Sequence, residues 1–194
     1  MENFTLFATP WWVNLLILIP LVSWYVWKKR GGITINTQVL ILSGLFGIAF
    51  GFVEAAVVVY LRAAVGLLPE YGDALTEVAT LSSTLYQQTE ALGALPQILL
   101  TIEFYREAAT VVMLATIALL ATKKPRNRFA VFLWIFAIWD IFYYAGLWVT
   151  VRWPPSLVTQ DVLFLIPNPW LAQVWFPLLV SILTLVAVVT TRSK

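Results

Sequence analysis

The sequence contains no cysteine and no histidine. Their absence excludes disulfides, thiolate chemistry, His- or Cys-ligated haem, zinc and iron–sulfur centres, and a Ser-His-Asp triad. Charge is also scarce, at 11% of residues, where an ordinary soluble domain carries about 25%. The net charge of +2 is small, and no nucleic-acid partner is expected. What fills the chain instead is apolar: 61% of residues are hydrophobic and the mean hydropathy is +0.86. No surface of that composition keeps a protein in water, so a lipid bilayer is the expected solvent. Any chemistry must come from carboxylates, arginine, tyrosine, Ser/Thr hydroxyls or a bound cofactor.

A membrane-crossing helix needs about 20 mostly apolar residues. Five segments meet that requirement: 11–27, 38–61, 96–121, 129–151 and 170–190. Lys and Arg are retained on the cytoplasmic side of a membrane. Lys28, Lys29 and Arg30 follow the first segment, Lys123, Lys124, Arg126 and Arg128 join the third to the fourth, and Arg192 and Lys194 follow the fifth. A single orientation puts all of them inside, with the N-terminus outside and the C-terminus cytoplasmic. The acids Glu70, Asp73, Glu77, Glu90 and Asp161 then fall outside. The prediction is an all-α integral membrane protein of five transmembrane helices, one polytopic domain over 1–194, in a prokaryotic cytoplasmic (inner) membrane.

The first segment has no basic leader, carries Glu2, and is bracketed by Trp11, Trp12, Trp24 and Trp27, as aromatics bracket a span at its two interfaces. It reads as a retained helix rather than a cleaved signal. Residues 67–95 repeat Leu75, Val78, Leu85 and Leu92 at helical spacing among polar residues. That pattern predicts an amphipathic outer segment packed on the protein or a partner, since it lacks the Lys/Arg of a helix bound to anionic lipid. The outer loop 152–169 is fenced by prolines, and its apolar run Val162–Ile166 is too short to span. Two readings remain for it, a re-entrant turn and an interfacial loop.

Charges also occur inside the spans. Burying one unpaired charge at mid-membrane costs roughly 3 kcal/mol even on lenient scales, yet TIEFYREAAT carries Glu103, Arg106 and Glu107 within five positions. With about 1.5 Å of rise per residue, Glu54, these three charges and Asp140 all fall roughly 10–16 Å below the outer ends of three separate helices. Arg62 and Arg152 stand just above that layer. Glu103, Arg106, Glu107 and Thr110 share one face of the third helix, and Ser43, Gly47, Gly51 and Glu54 share a small-residue stripe of the second. Tyr143 and Tyr144 cluster near Asp140 on the fourth. The first and fifth helices carry no charge and are expected to form a lipid- or partner-facing wall.

The layer holds more acid than base. Crowded carboxylates in a low dielectric resist simultaneous ionisation, so the surplus implies a bound proton or a bound cation. Carboxylates suit hard divalent cations such as Mg²⁺, Ca²⁺ or Mn²⁺. The expected ion- or proton-binding residues are therefore Glu54, Glu103, Glu107 and Asp140. Arg106, Arg62 and Arg152 supply counter-charge, with Thr110, Tyr143, Tyr144 and Asp161 in support. Three functions fit: a proton- or cation-handling protein, a non-catalytic subunit of a larger membrane complex, and an enzyme acting on a lipid or isoprenoid at the outer leaflet. Five helices are few for a transport path, so a homo-oligomer or other membrane subunits are expected as partners beside the bilayer. As plain glue, the same charges form interhelical ion pairs.

Overall fold

The computed structural model describes residues 4–64 and 97–193, with side chains described for 4–61 and 97–193. Helices make up 73% of the described residues, and four of them are long and apolar enough to cross a membrane. A 3-10 segment Trp11–Ile17 runs directly into α1, Leu18–Lys29. Then follow α2, Thr37–Ala64, α3, Gln97–Ala121, and α4, Pro125–Val151. After a short antiparallel hairpin of β1, Gln160–Phe164, and β2, Trp170–Gln173, the chain ends in α5, Trp175–Thr191. The expected outer segment 67–95 lies outside the described residues.

Three element boundaries differ from the sequence reading. α4 starts a turn earlier than 129, because Pro125 occupies its first turn, where a missing N–H breaks no intrahelical bond. The last apolar segment does not become one helix from 170. Its first residues pair as β2, which leaves α5 at 17 residues, shorter than the other membrane-crossing candidates. Pro177 then sits in the first turn of α5, so it produces no mid-helix break.

α4 is the hub. It packs on α2, α3 and α5, while α1 packs on α5. The contact with α2 is closest at its small residues: a Cβ built on Gly51 would stand 2.7 Å from the Trp139 carbonyl oxygen and 2.9 Å from the Tyr143 nitrogen. Only glycine lets two helix backbones approach so nearly. The main apolar cluster gathers Leu114, Val131, Ile135, Trp139 and Val188 from three of these helices.

The basic residues gather at one end of the bundle. Arg126 Nη1 donates to the Arg30 carbonyl oxygen at 2.8 Å, Arg192 Nε to that of Ile35 at 2.9 Å, and Arg128 Nε to that of Thr122 at 2.8 Å. Lys and Arg near helix C-termini satisfy carbonyls the helix leaves free. Asn127 Nδ2 adds a bond to the Thr34 carbonyl oxygen at 2.7 Å.

The hairpin belongs to the opposite end. Thr9 exchanges two backbone hydrogen bonds with Leu171, of 2.8 and 2.7 Å, and so covers the free edge of β2. From there the hairpin turns inward. Phe164 stacks on Phe136 with ring centroids 6.2 Å apart, and Phe136 lies about 22 Å below the end of α4 at its helical rise. Non-helical backbone at such depth is tolerated only where protein buries it and satisfies its polar groups. The hairpin is thus packed among the helices rather than laid over their ends. Tyr144 donates its hydroxyl to Asp161 Oδ2 at 2.6 Å and anchors the hairpin to α4. Asp161 is only 1% exposed. Tyr144→Phe is expected to lower stability by about 1–2 kcal/mol and to speed protease cleavage in 160–173, read by a detergent unfolding curve and by digestion mapping.

Candidate functional site

Arg106 organises one half of the site. Its Nε donates to Glu103 Oε2 at 2.9 Å, its Nη2 reaches the same oxygen at 2.7 Å, and its Nη1 pairs with Glu54 Oε2. Glu103 precedes it by one helical turn on α3, whereas Glu54 comes from α2. The planar guanidinium fork bridges two carboxylates in a way a lysine ammonium does not. The Thr110 hydroxyl lies 2.6 Å from Glu54 Oε1 and 3.1 Å from the Arg106 carbonyl oxygen, and it donates its one proton to the nearer carboxylate. Glu54, Glu103 and Thr110 are buried. These residues tie α2 to α3, whose direct packing is otherwise slight.

Among the described residues, the other half has no cation. Glu107 Oε2 accepts the backbone N–H of Leu165 at 2.8 Å, which satisfies an amide of the hairpin. Asp140 Oδ2 accepts the Ser181 hydroxyl at 2.8 Å. Among the described residues, the only salt bridges of the site are those of Arg106 with Glu54 and Glu103. Neutral donors hold a carboxylate in place but leave its charge uncompensated.

Both halves line one cavity of about 600 Å³. Glu54, Glu103, Arg106, Glu107, Asp140 and Asp161 all face it, with Tyr143 and Tyr144. The structure thus brings together the four predicted acids, Arg106, Thr110, both tyrosines and Asp161. It does not bring in Arg152, which caps α4 in a left-handed conformation and stacks over the Trp148 ring at 4.5 Å. At the end of the helix it finds solvent and an aromatic face, and so has no need of an acid. The Arg62 side chain lies outside the described residues.

One sequence expectation is overturned. α1 and α5 are not only a wall: Ile19 of α1 lines the cavity, and Ser181 and Thr184 belong to the buried face of α5 and line it too. The spacing Pro177, Ser181, Thr184 is a readable stripe of non-aliphatic positions on an otherwise apolar helix. It goes unnoticed because a membrane Ser or Thr can bond within its own helix, as Thr184 does with the Val180 carbonyl oxygen at 2.7 Å. The Leu165 amide was beyond any sequence signal, since a backbone N–H is present at every non-proline residue.

Among the described residues, no three carboxylates converge as a metal ion would require. A hard divalent cation normally takes six or more oxygens in a tight shell, and the separate anchoring of Glu107 to the hairpin and Asp140 to α5 works against such a cage. No known protein family matches the chain, and neither the curated proteins nor the solved structures contain a match to it.

Proposed function

We propose that this is a small multi-pass protein of a prokaryotic cytoplasmic membrane whose acidic cavity takes up a cationic species from the outer side. The carrying observation is that Glu107 and Asp140 face one cavity on neutral partners, while Arg106 is engaged by Glu54 and Glu103. Charge balance then calls for a proton or a cation from outside the chain. The spread of the carboxylates favours a proton or a weakly coordinated cation over a caged divalent metal ion.

Sidedness belongs to the same proposal. Applied to the basic end of the bundle, the retention of Lys and Arg on the cytoplasmic side turns the hairpin outward. α5 then counts as a fifth crossing, with the hairpin filling the depth that its 17 residues leave.

Proteoliposomes loaded with a pH-sensitive dye test this reading. An imposed proton or monovalent-cation gradient is expected to collapse faster with the wild-type protein than in empty vesicles. Asp140→Asn and Glu107→Gln are expected to return the rate to that of empty vesicles while the protein still elutes as a single folded species. Silent wild-type vesicles, or variants that match the wild type, overturn the proposal. A stoichiometric complex with other chains after mild detergent extraction redirects it toward a subunit role, and lipid turnover lost in Glu103→Gln toward an enzyme.

A further inference from the structure

The cavity is far larger than a proton or an inorganic ion needs, and most of its wall is apolar. The acids occupy the part nearest the hairpin, and Phe132, Leu133 and Val111 line the deeper part. Two of its lining residues, Ile19 on α1 and Val111 on α3, are exposed side chains at 38% and 37%. Among the described residues, α3 has no substantial packing on α1 or on α5. Between α1 and α3, then, the lining includes side chains on the outer surface of the described bundle, at a depth that the span reading places among lipid chains.

The polar end has features of its own. Tyr143 and Trp139 line the cavity together with the carboxylates, and aromatic rings attract ammonium groups.

We propose that the cavity binds an amphiphile with an amine head, its ammonium held by Glu107 and Asp140 and its chain leaving past Val111 into the bilayer. This rests on reading the acidic cavity as a cation site, and it names the class of cation. Charge decides the head: with carboxylates in excess over the one engaged arginine among the described residues, an anionic head is repelled and a head without a cationic group gains nothing from Glu107 or Asp140. Two sources share this chemistry, an amine-headed phospholipid of the membrane and a long-chain amine taken from outside.

The test is native mass spectrometry of the full chain released from detergent, with dodecylamine and dodecanol as probes of equal chain length. Dodecylamine is expected to bind one to one and at least about tenfold more tightly than dodecanol, the ratio that one charge-assisted hydrogen bond supplies. Asp140→Asn and Glu107→Gln are expected to erase that ratio, and Val111→Trp to weaken both probes by narrowing the opening. Release from nanodiscs of phosphatidylethanolamine or phosphatidylglycerol separates the sources. A retained phosphatidylethanolamine assigns the site to a membrane lipid, whereas dodecylamine retained without it assigns the site to a free amine.

Equal binding of amine and alcohol to the wild type overturns the inference and needs no variant to fold. If the vesicles still carry protons or cations in that case, only the ligand class falls. If they do not, the acidic-site reading falls with it.

Discussion

Arg106→Met is expected to be the most damaging single substitution in the protein, lowering unfolding stability in detergent by about 3 kcal/mol or more. Two buried carboxylates, Glu54 and Glu103, share this one guanidinium. Removing it leaves both as neighbouring charges with nothing between them but the Thr110 hydroxyl on one. A lost contact between neutral groups costs about 1 kcal/mol, while an abandoned buried charge costs several times that. The double variant Glu54→Gln, Arg106→Met is expected to recover part of the loss, because it removes one of the stranded charges along with the cation. Arg106→Lys is expected to fall between the wild type and Arg106→Met, since a point charge on a flexible stem does not bridge two acids as a planar fork does. Urea or SDS titration followed by tryptophan fluorescence checks all three. A double variant as unstable as the sum of its single changes would show that the residues do not act as a unit.

The second large effect is expected where no charge is involved. Gly51→Val is predicted to destabilise by about 2–3 kcal/mol and also to disturb the site one turn away. The atoms that a Cβ at Gly51 would meet are the carbonyl oxygen of Trp139, the nitrogen of Tyr143 and the carbonyl carbon of Phe142. All are backbone of α4, so no side chain can swing aside, and the two helices must separate. α4 carries Asp140, Tyr143 and Tyr144, while α2 carries Glu54, so separation pulls the halves of the cavity apart. Gly44 supplies the control. A Cβ there meets only the ends of the Ile138 and Trp134 side chains, at 3.3 and 3.4 Å, and Gly44→Ala gains up to about 1 kcal/mol of helix propensity. Its melting temperature is expected to stay within a few degrees of the wild type, whereas that of Gly51→Val falls well below.

These two predictions also mark what was readable beforehand. The glycine stripe on α2 pointed to a packed face before any neighbour was known, because small residues at helical spacing have little other use in a membrane. The charges on three segments pointed to a shared layer, because lipid leaves an isolated charge no alternative to a partner. Which group pairs with which was not readable. Face analysis places Glu54 and Arg106 on stripes, but it has no access to the rotation of one helix against another. Asp140 shows the consequence: it faces α5 and Ser181, not an arginine. The hairpin was hidden for a different reason. A five-residue apolar run between prolines has the same composition whether it lies on a membrane surface or is inserted among helices.

The sequence by itself determined the solvent, the apolar segments and the grouping of basic residues between them, since each is a local sum over the chain that lipid and water read residue by residue. It also determined that a surplus of acid lies within the spans. Only the tertiary structure decided that Arg106 is consumed by Glu54 and Glu103, that α5 joins the site, and that the hairpin turns inward to give its Leu165 amide to Glu107. Those outcomes depend on distances between segments far apart in the chain, and such distances are set by packing around α4 rather than by any one segment's composition.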